Sequence, residues 1–376
     1  MKKLFFDWGV SDHTGWGVYG SNLLLTGMKD PRLGIYPLDW PPSFLYPINP
    51  IIALQIDKYL GNKPTNTIIN DKDILLTALG NSVEKKANEG GLKEIGVIFF
   101  EANPLPPKNI EMLKTFTAII TGSTWNQQQL EKYGIKSELI IQGVDTDLFR
   151  PLDKKFLKDR FVVFSGGKLE FRKGQDIALK AFSIFAKKHE DALLLSCWRS
   201  PWEAKAMPTI NSSQICNPIF PGGDIGESTR NWVFSNGVKP SQYTDLGSVS
   251  NQLMPEIFRE VDIAIFPNRA EGGTNLVAME AISAGIICAI SNNTGHQDLI
   301  KHCKCLPLSI QSKVQTQSNA SCADWGESNI DELVNILEDA YQGRLAMPDK
   351  LIISSSIQTF TWENSINKLL NVVNCC

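Results

Sequence analysis

Apolar positions along the chain alternate between two rhythms. Short β-branched or aromatic runs give way to longer stretches of helical period, and then to short runs again. IGVIFFEA, a Pro-rich loop with KNIEMLKTF, TAIITGS, TWNQQQLEKYG and KSELIIQ make one such series. This alternation predicts β-α-β units built on a parallel sheet. The series restarts after QGVDTDLFRPLDKK with RFVVFSGG, KGQDIALKAFSIFAKKH and ALLLSCW, and later with VDIAIFP, an apolar helix and GIICAIS. Two α/β domains follow, residues 1–150 and 151–359, with a hinge in the polar, proline-containing stretch from Val144 to Asp153. In the second domain Ile177, Ala181, Ile184 and Phe185 fall at helical spacing and are expected to face the sheet. The interval of about residues 199–250, rich in Pro, Ser, Asn and Gly, has no clean period.

Composition narrows the class. The 376 residues suit two domains, and 37 basic against 40 acidic residues give a net charge of −3 with no basic block to mark nucleic acid as a partner. In MKKLFFDWGV the apolar run stops at Asp7, too short for an export signal, and the longest apolar runs fall well below the ~20 residues of a membrane helix. The eight cysteines lack a paired C-x-x-C framework, so reduced thiols in a cytoplasmic protein are expected.

Two loops in the second domain have the makings of an anion site, since ligands of open parallel sheets bind outside the carboxyl ends of the strands. SGGKLEFRKG places Gly166 and Gly167 at a strand end, followed by Lys168, Arg172 and Lys173. Free backbone N–H groups and three cations suit a diphosphate, each charge-assisted bond contributing roughly 1.5–3 kcal/mol; a solvated basic loop is the alternative. EGGTNLVAMEAISAG places Gly272 and Gly273 ahead of Thr274, the expected N-cap of a helix starting near Asn275. Glu280 lies ~9 Å along that helix from Thr274. It is the one charged residue between Asn275 and Ile290. A ribose, with two hydroxyl donors, would satisfy it; a structural carboxylate is the alternative.

GWGVYG, Gly15 to Gly20, matches the dinucleotide fingerprint G-x-G-x-x-G, and Asp39 could serve as its ribose acid. A true fingerprint follows its strand at once, whereas eight residues separate LFF from Gly15. The motif is therefore read as a flexible Gly-rich loop, with Gly15 and Gly17 as donor-binding candidates.

Taken together, EGGTNLVAMEAISAG, SGGKLEFRKGQD, STWNQQQL, IIQGVDTDLFRP and the final TWENSINKLL resemble the group 1, or family 4, retaining glycosyltransferases over most of the chain. The resemblance implies the GT-B fold: two Rossmann-like, doubly wound domains facing each other across a cleft, the first for the acceptor and the second for a nucleotide-sugar donor, with residues 360–376 as a closing helix. By motif match it makes Glu271 the contact to the donor sugar, Glu280 the ribose ligand, and Lys168 and Lys173 the holders of the diphosphate. Gly166, Gly167, Gly272, Gly273, Thr274 and Asn275 would line the donor. Two departures stand out: one extra residue between Glu271 and Glu280 relative to E-x7-E, and Lys168 where arginine is usual, so that Arg172 shares its task.

The resemblance also implies sugar transfer with retention from a nucleoside-diphosphate sugar to a glycan or lipid-linked glycan, with no metal or other cofactor. The leaving phosphate would help to deprotonate the acceptor. IGVIFFEANPLP carries Glu101 and no histidine where many members place one, so His13 and His296 are the candidates for a group beside the sugar. Asp145-Thr146-Asp147 matches a D-x-D metal motif but reads as turn chemistry. IYPLDWPPSFLYP is an acceptor candidate, with an ordinary rigid loop as the alternative, and a lipid-linked acceptor would bring peripheral membrane contact. Competing classes are an NAD-dependent oxidoreductase resting on GWGVYG, and a sugar-nucleotide isomerase or non-catalytic binder on the same fold.

Overall fold

A computed structural model of the protein describes residues 2–29, 33–38, 42, 44, 49–61, 73–81, 83–85, 93–314, 322–346 and 348–375. Asp39 and most of IYPLDWPPSFLYP lie outside the described residues. The chain divides into two compact units. Unit 1 comprises Met1–Gly143, Ser250–Gln252 and Phe360–Cys376, and unit 2 comprises Val144–Val249 and Leu253–Thr359.

Unit 1 runs β1 (Lys2–Phe6), α1 (Gly15–Gly27), β2 (Leu33–Pro37), α2 (Pro50–Gly61), β3 (Ile74–Leu79), β4 (Lys93–Ile98), α3 (Pro107–Leu113), β5 (Ala118–Thr121), α4 (Thr124–Glu131) and β6 (Glu138–Leu139). Its strands form a parallel sheet in the order β2-β1-β3-β4-β5-β6. Both faces of such a sheet are covered, which is why LFF, ILL and GVI read as unbroken apolar runs. The last helix in the chain, Trp362–Cys375, belongs to this unit and stacks Trp362 on Tyr19 of α1, ring centroids 5.3 Å apart. A Cβ on Gly143 would lie 2.2 Å from the Trp362 backbone nitrogen, so only glycine admits that helix.

Unit 2 runs β7 (Phe161–Gly166), α5 (Gln175–Ala186), β8 (Ala192–Cys197), α6 (Glu203–Ala206), α7 (Ile225–Ser235), β9 (Tyr243–Asp245), α8 (Met254–Phe258), β10 (Ile263–Phe266), α9 (Leu276–Ser283), β11 (Ile287–Ser291), α10 (His296–His302) and β12 (Leu306–Leu308). A hairpin of β13 (Gln311–Lys313) and β14 (Gly326–Ser328), then α11 (Ile330–Tyr341) and α12 (Lys350–Ser355), complete it, and Trp362–Cys375 is α13. The main sheet is parallel in the order β12-β11-β10-β7-β8-β9. The chain winds outward from β7 through β8 to β9, then returns to β10 on the other side of β7. The order therefore reverses between β7 and β10, the switch point at whose carboxyl ends a doubly wound sheet opens a crevice.

Three expectations are corrected. GWGVYG is not a loop: its glycines form the first turns of α1, which Thr14 caps by accepting from Gly17 N. A Cβ on Gly17 would fall 1.7 Å from Ser11 Oγ and one on Gly20 2.7 Å from the Gly9 carbonyl, so this glycine spacing serves close packing of α1 on the loop before it. On α5, Ile177, Ala181 and Phe185 are buried but Ile184 is half-exposed. The buried stripe is centred towards Ala178 and Phe182, which puts Ile184 at its edge. The third correction concerns the cap of α9 and is described below.

Candidate functional site

β7 ends at Gly166, and the chain must turn there to reach α5. Gly167 takes φ 110°, a backbone region open to glycine. A Cβ on Gly166 would lie 2.9 Å from Val277 Cγ1, so the first turn of α9 packs onto this strand end. The 3₁₀ turn Phe171–Lys173 follows, carrying two of the three cations. Gly174 ends it at φ 68°, where a Cβ would meet the Pro267 carbonyl oxygen at 2.1 Å. The loop after β7 is thereby clamped to the loop after β10.

Those two loops bring Arg172, Lys173 and Glu271 together. Lys173 Nζ lies 2.5 Å from Glu271 Oε1, Arg172 Nη1 donates to Oε2 at 3.2 Å, and the Asn268 side-chain amide donates to Oε1 as well. Glu170 links Lys168 and Arg172, each at 2.7 Å. Burial would raise the Glu271 pKa, but the facing Lys173 and Arg172 charges win and hold it down at about 2. Burial also disfavours the Lys173 ammonium, and the Glu271 charge opposes that fall. Three cations and two carboxylates leave the cluster one net positive charge.

Arg269 anchors the arrangement from beneath and was not legible as a site residue. Fully buried, it pairs bidentately with Asp176 at 2.7 and 2.8 Å, meets Glu327 of β14 at 2.7 Å, and lies over the Phe171 ring. Its Nη1 donates to the Phe171 carbonyl and its backbone N–H to the Arg172 carbonyl, both at 2.7 Å. One residue thus fixes the cation turn relative to Glu271. The signal for it was a cation two positions before a glutamate just past a strand end, in PNRAEGG.

The glutamate loop is held from the other side. Glu271 N–H donates to Thr294 Oγ1 at 2.8 Å and the Glu271 carbonyl accepts from Gly295 at 3.0 Å. A Cβ on Gly295 would lie 1.9 Å from the Gly273 carbonyl, so the loop Glu271-Gly272-Gly273 rests directly on the start of α10. The N-cap of α9 is Asn275, not Thr274: Asn275 sits at φ 67° and its Oδ1 accepts from Ala278 N. Thr274 Oγ1 turns inward to Met279 Sδ, 3.0 Å away. Asparagine wins because it tolerates the left-handed region, where β-branched threonine does not fit. Glu280 is buried in α9, five residues on from the cap.

His296 is fully buried between Asn275 and Ser291, at 3.1 and 2.9 Å from its two ring nitrogens. It faces no open surface. His13, with Gly15 and Gly17, belongs to unit 1, in the loop from β1 to α1; its Nδ1 is 3.0 Å from Asp12 Oδ1. Asp145 Oδ1 accepts from the backbone N–H groups of Asp147 and Leu148, so D-T-D forms the turn expected of it.

Comparison with known proteins gives the class. Residues 159–316 match the family described as glycosyl transferases group 1. No curated protein matches the chain. Among solved structures, trehalose-6-phosphate synthase OtsA aligns with TM-score 0.67 and 11% identity, covering 100% of this chain and 99% of that one. HepE of Anabaena, in complex with UDP and glucose, aligns with TM-score 0.64 and 13% identity over 100% of both chains. Sucrose-phosphate synthase of Thermosynechococcus elongatus gives TM-score 0.63 and 13% identity over 100% and 98%. These are GT-B glycosyltransferases with two Rossmann-like domains, and this chain has their fold. The match to the group 1 glycosyltransferases lies in residues 159–316, which take up most of unit 2.

Proposed function

We propose that the protein is a retaining glycosyltransferase that moves a sugar from a nucleoside-diphosphate donor to a glycan or lipid-linked glycan, without a metal. The observation that carries this reading is the meeting of Arg172, Lys173 and Glu271 at the unit 2 switch point, between the end of β7 and the head of α9. A diphosphate placed there would face the cations and the N-terminal end of the helix. As the bond from the anomeric carbon to the diphosphate oxygen breaks, negative charge grows on that oxygen, and Lys173, Arg172 and Lys168 would stabilise it more strongly than the ground state. In this reading cationic side chains supply what a divalent cation supplies elsewhere. Glu271 would reach the donor sugar and Glu280 the ribose hydroxyls. The leaving phosphate would accept the acceptor hydroxyl proton, so retention follows from attack on the face it vacates. The solved HepE complexes with UDP and glucose are in keeping with such a donor.

A thermal-shift panel of UDP-, GDP- and ADP-glucose, with NAD as the competing ligand, tests the assignment through ligand-linked stabilisation. One of the sugar nucleotides is expected to raise the melting temperature, Lys173→Ala to abolish the rise, and EDTA to leave it unchanged. A response to NAD alone overturns the reading.

A further inference from the structure

Behind the cation cluster runs a chain of buried polar groups whose directions can be worked out from the donors that have no choice. The Asn275 carboxamide is oriented by its Oδ1, which accepts from Ala278 N, so its Nδ2 points at His296 Nε2 as a donor. Nε2 must therefore accept, and the ring proton of the neutral imidazole sits on Nδ1. Nδ1–H then donates to Ser291 Oγ at 2.9 Å. Ser291 is free to accept there, because its own hydroxyl proton goes to the Asn268 carbonyl oxygen at 2.6 Å. Asn268 in turn donates from its side-chain amide to Glu271 Oε1. Every link runs in the same sense, from the cap of α9 to the carboxylate of Glu271.

We propose that His296 is a positioning residue of this site: a neutral imidazole protonated on Nδ1, it sets Asn275 at the head of α9 and, through Ser291 and Asn268, the Glu271 carboxylate. The proposal rests on the donor-site reading given above. It explains why a histidine occupies a fully buried position within a site rich in cations. A second ring proton would point at the Asn275 amide hydrogens and break the chain at its first link. Lys173 and Arg172, which pair with Glu271, add to that penalty, while Glu271 opposes it. Burial leads these effects, and the His296 pKa falls to about 4. His296 is therefore no proton shuttle at neutral pH. Its contribution is to fix where Glu271 meets the sugar.

Two measurements on the whole protein test this. Imidazole nitrogen NMR shifts report the tautomer directly: His296 is expected as neutral Nδ1–H at neutral pH, and an Nε2–H ring or an imidazolium overturns the proposal whatever the ligand. The second measurement is the ratio of affinities for UDP and UDP-glucose, or the GDP or ADP pair if that binds more tightly, in the wild type and in Ser291→Ala. A misplaced Glu271 loses the sugar contact but not the nucleotide, so the preference for the sugar nucleotide is expected to fall about tenfold. General loosening of the domain would weaken both ligands alike. Ser283→Ala removes another buried hydroxyl-to-carbonyl bond, to Phe149 O at the far end of α9, and is expected to leave the ratio unchanged. An unchanged ratio in Ser291→Ala, or an equal fall in Ser283→Ala, overturns the positioning role. Failure of the wild type to bind any of the six nucleotides sinks the donor-site reading with it, and the NMR tautomer then shows separately whether the hydrogen-bond chain exists.

Discussion

Glu271 faces two cations, Arg172 and Lys173, with one carboxylate. In the proposed donor site an incoming diphosphate would compete with Glu271 for these cations and release it towards the sugar. Glu271→Gln is therefore expected to bind the bare nucleoside diphosphate several-fold more tightly while losing most of its transfer activity. Titration calorimetry with both ligands checks this, and weaker diphosphate binding in the variant contradicts it. If Glu280 holds the ribose as proposed, Glu280→Gln should weaken nucleotide and nucleotide sugar alike, because the ribose is common to both. The buried histidine adds a pH signature. Its folded pKa of about 4 lies below the usual 6.5, so the unfolded chain binds the extra proton first. Stability from this group is full above about 6.5 and drains away as pH falls towards about 4, by up to ~3 kcal/mol. Glu271 follows the same sign lower down, its contribution fading as pH drops from 4.5 towards about 2. Denaturant titrations between pH 4.5 and 6.5 should show this slope in the wild type and a reduced one in His296→Gln.

At the scale of elements, glycines decide how closely the two site loops approach. Gly174 and Gly134 both sit at positive φ, 68° and 70°, but only Gly174 faces a neighbouring carbonyl; a Cβ on Gly134 meets nothing within 4 Å. Gly134→Ala is expected to destabilise by about 1 kcal/mol from backbone strain alone. Gly174→Ala should destabilise by clearly more and also weaken donor binding, since the cation turn must shift; equal melting temperatures for the two variants would contradict this. Local pattern revealed the elements around this turn. FVVFSG, ALLLSC, IAIF and ICAIS are buried strands, and strands covered on both faces need no partner to be recognised. The cap of α9 was misplaced by one residue because Thr274 and Asn275 are both good caps, and the choice depends on a left-handed φ that adjacent sequence does not encode. Residues 199–250 resisted reading for a related reason. Their short elements are held by side chains reaching main chain at a distance, such as Asn211 with Ile219 and Trp232 with Asn217, and such bonds leave no period.

Across the whole molecule, the two sheets share a doubly wound plan, and in unit 2 the switch point lies where the motif residues converge. The strand order explains why loops about a hundred residues apart in sequence, after β7 and after β10, come together. Arg269, Asn268 and Ser291 stayed hidden because their roles arise from tertiary pairing. The most direct test of the central claim is to follow sugar nucleotides by NMR during turnover, with water as the acceptor. From an α-linked donor such as UDP-glucose, or the GDP or ADP sugar that binds best, the account predicts release of the nucleoside diphosphate together with a sugar that first appears as the α-anomer, slowed about a hundredfold or more in Lys173→Ala. Initial release of the β-anomer, or wild-type turnover in Lys173→Ala, would contradict it.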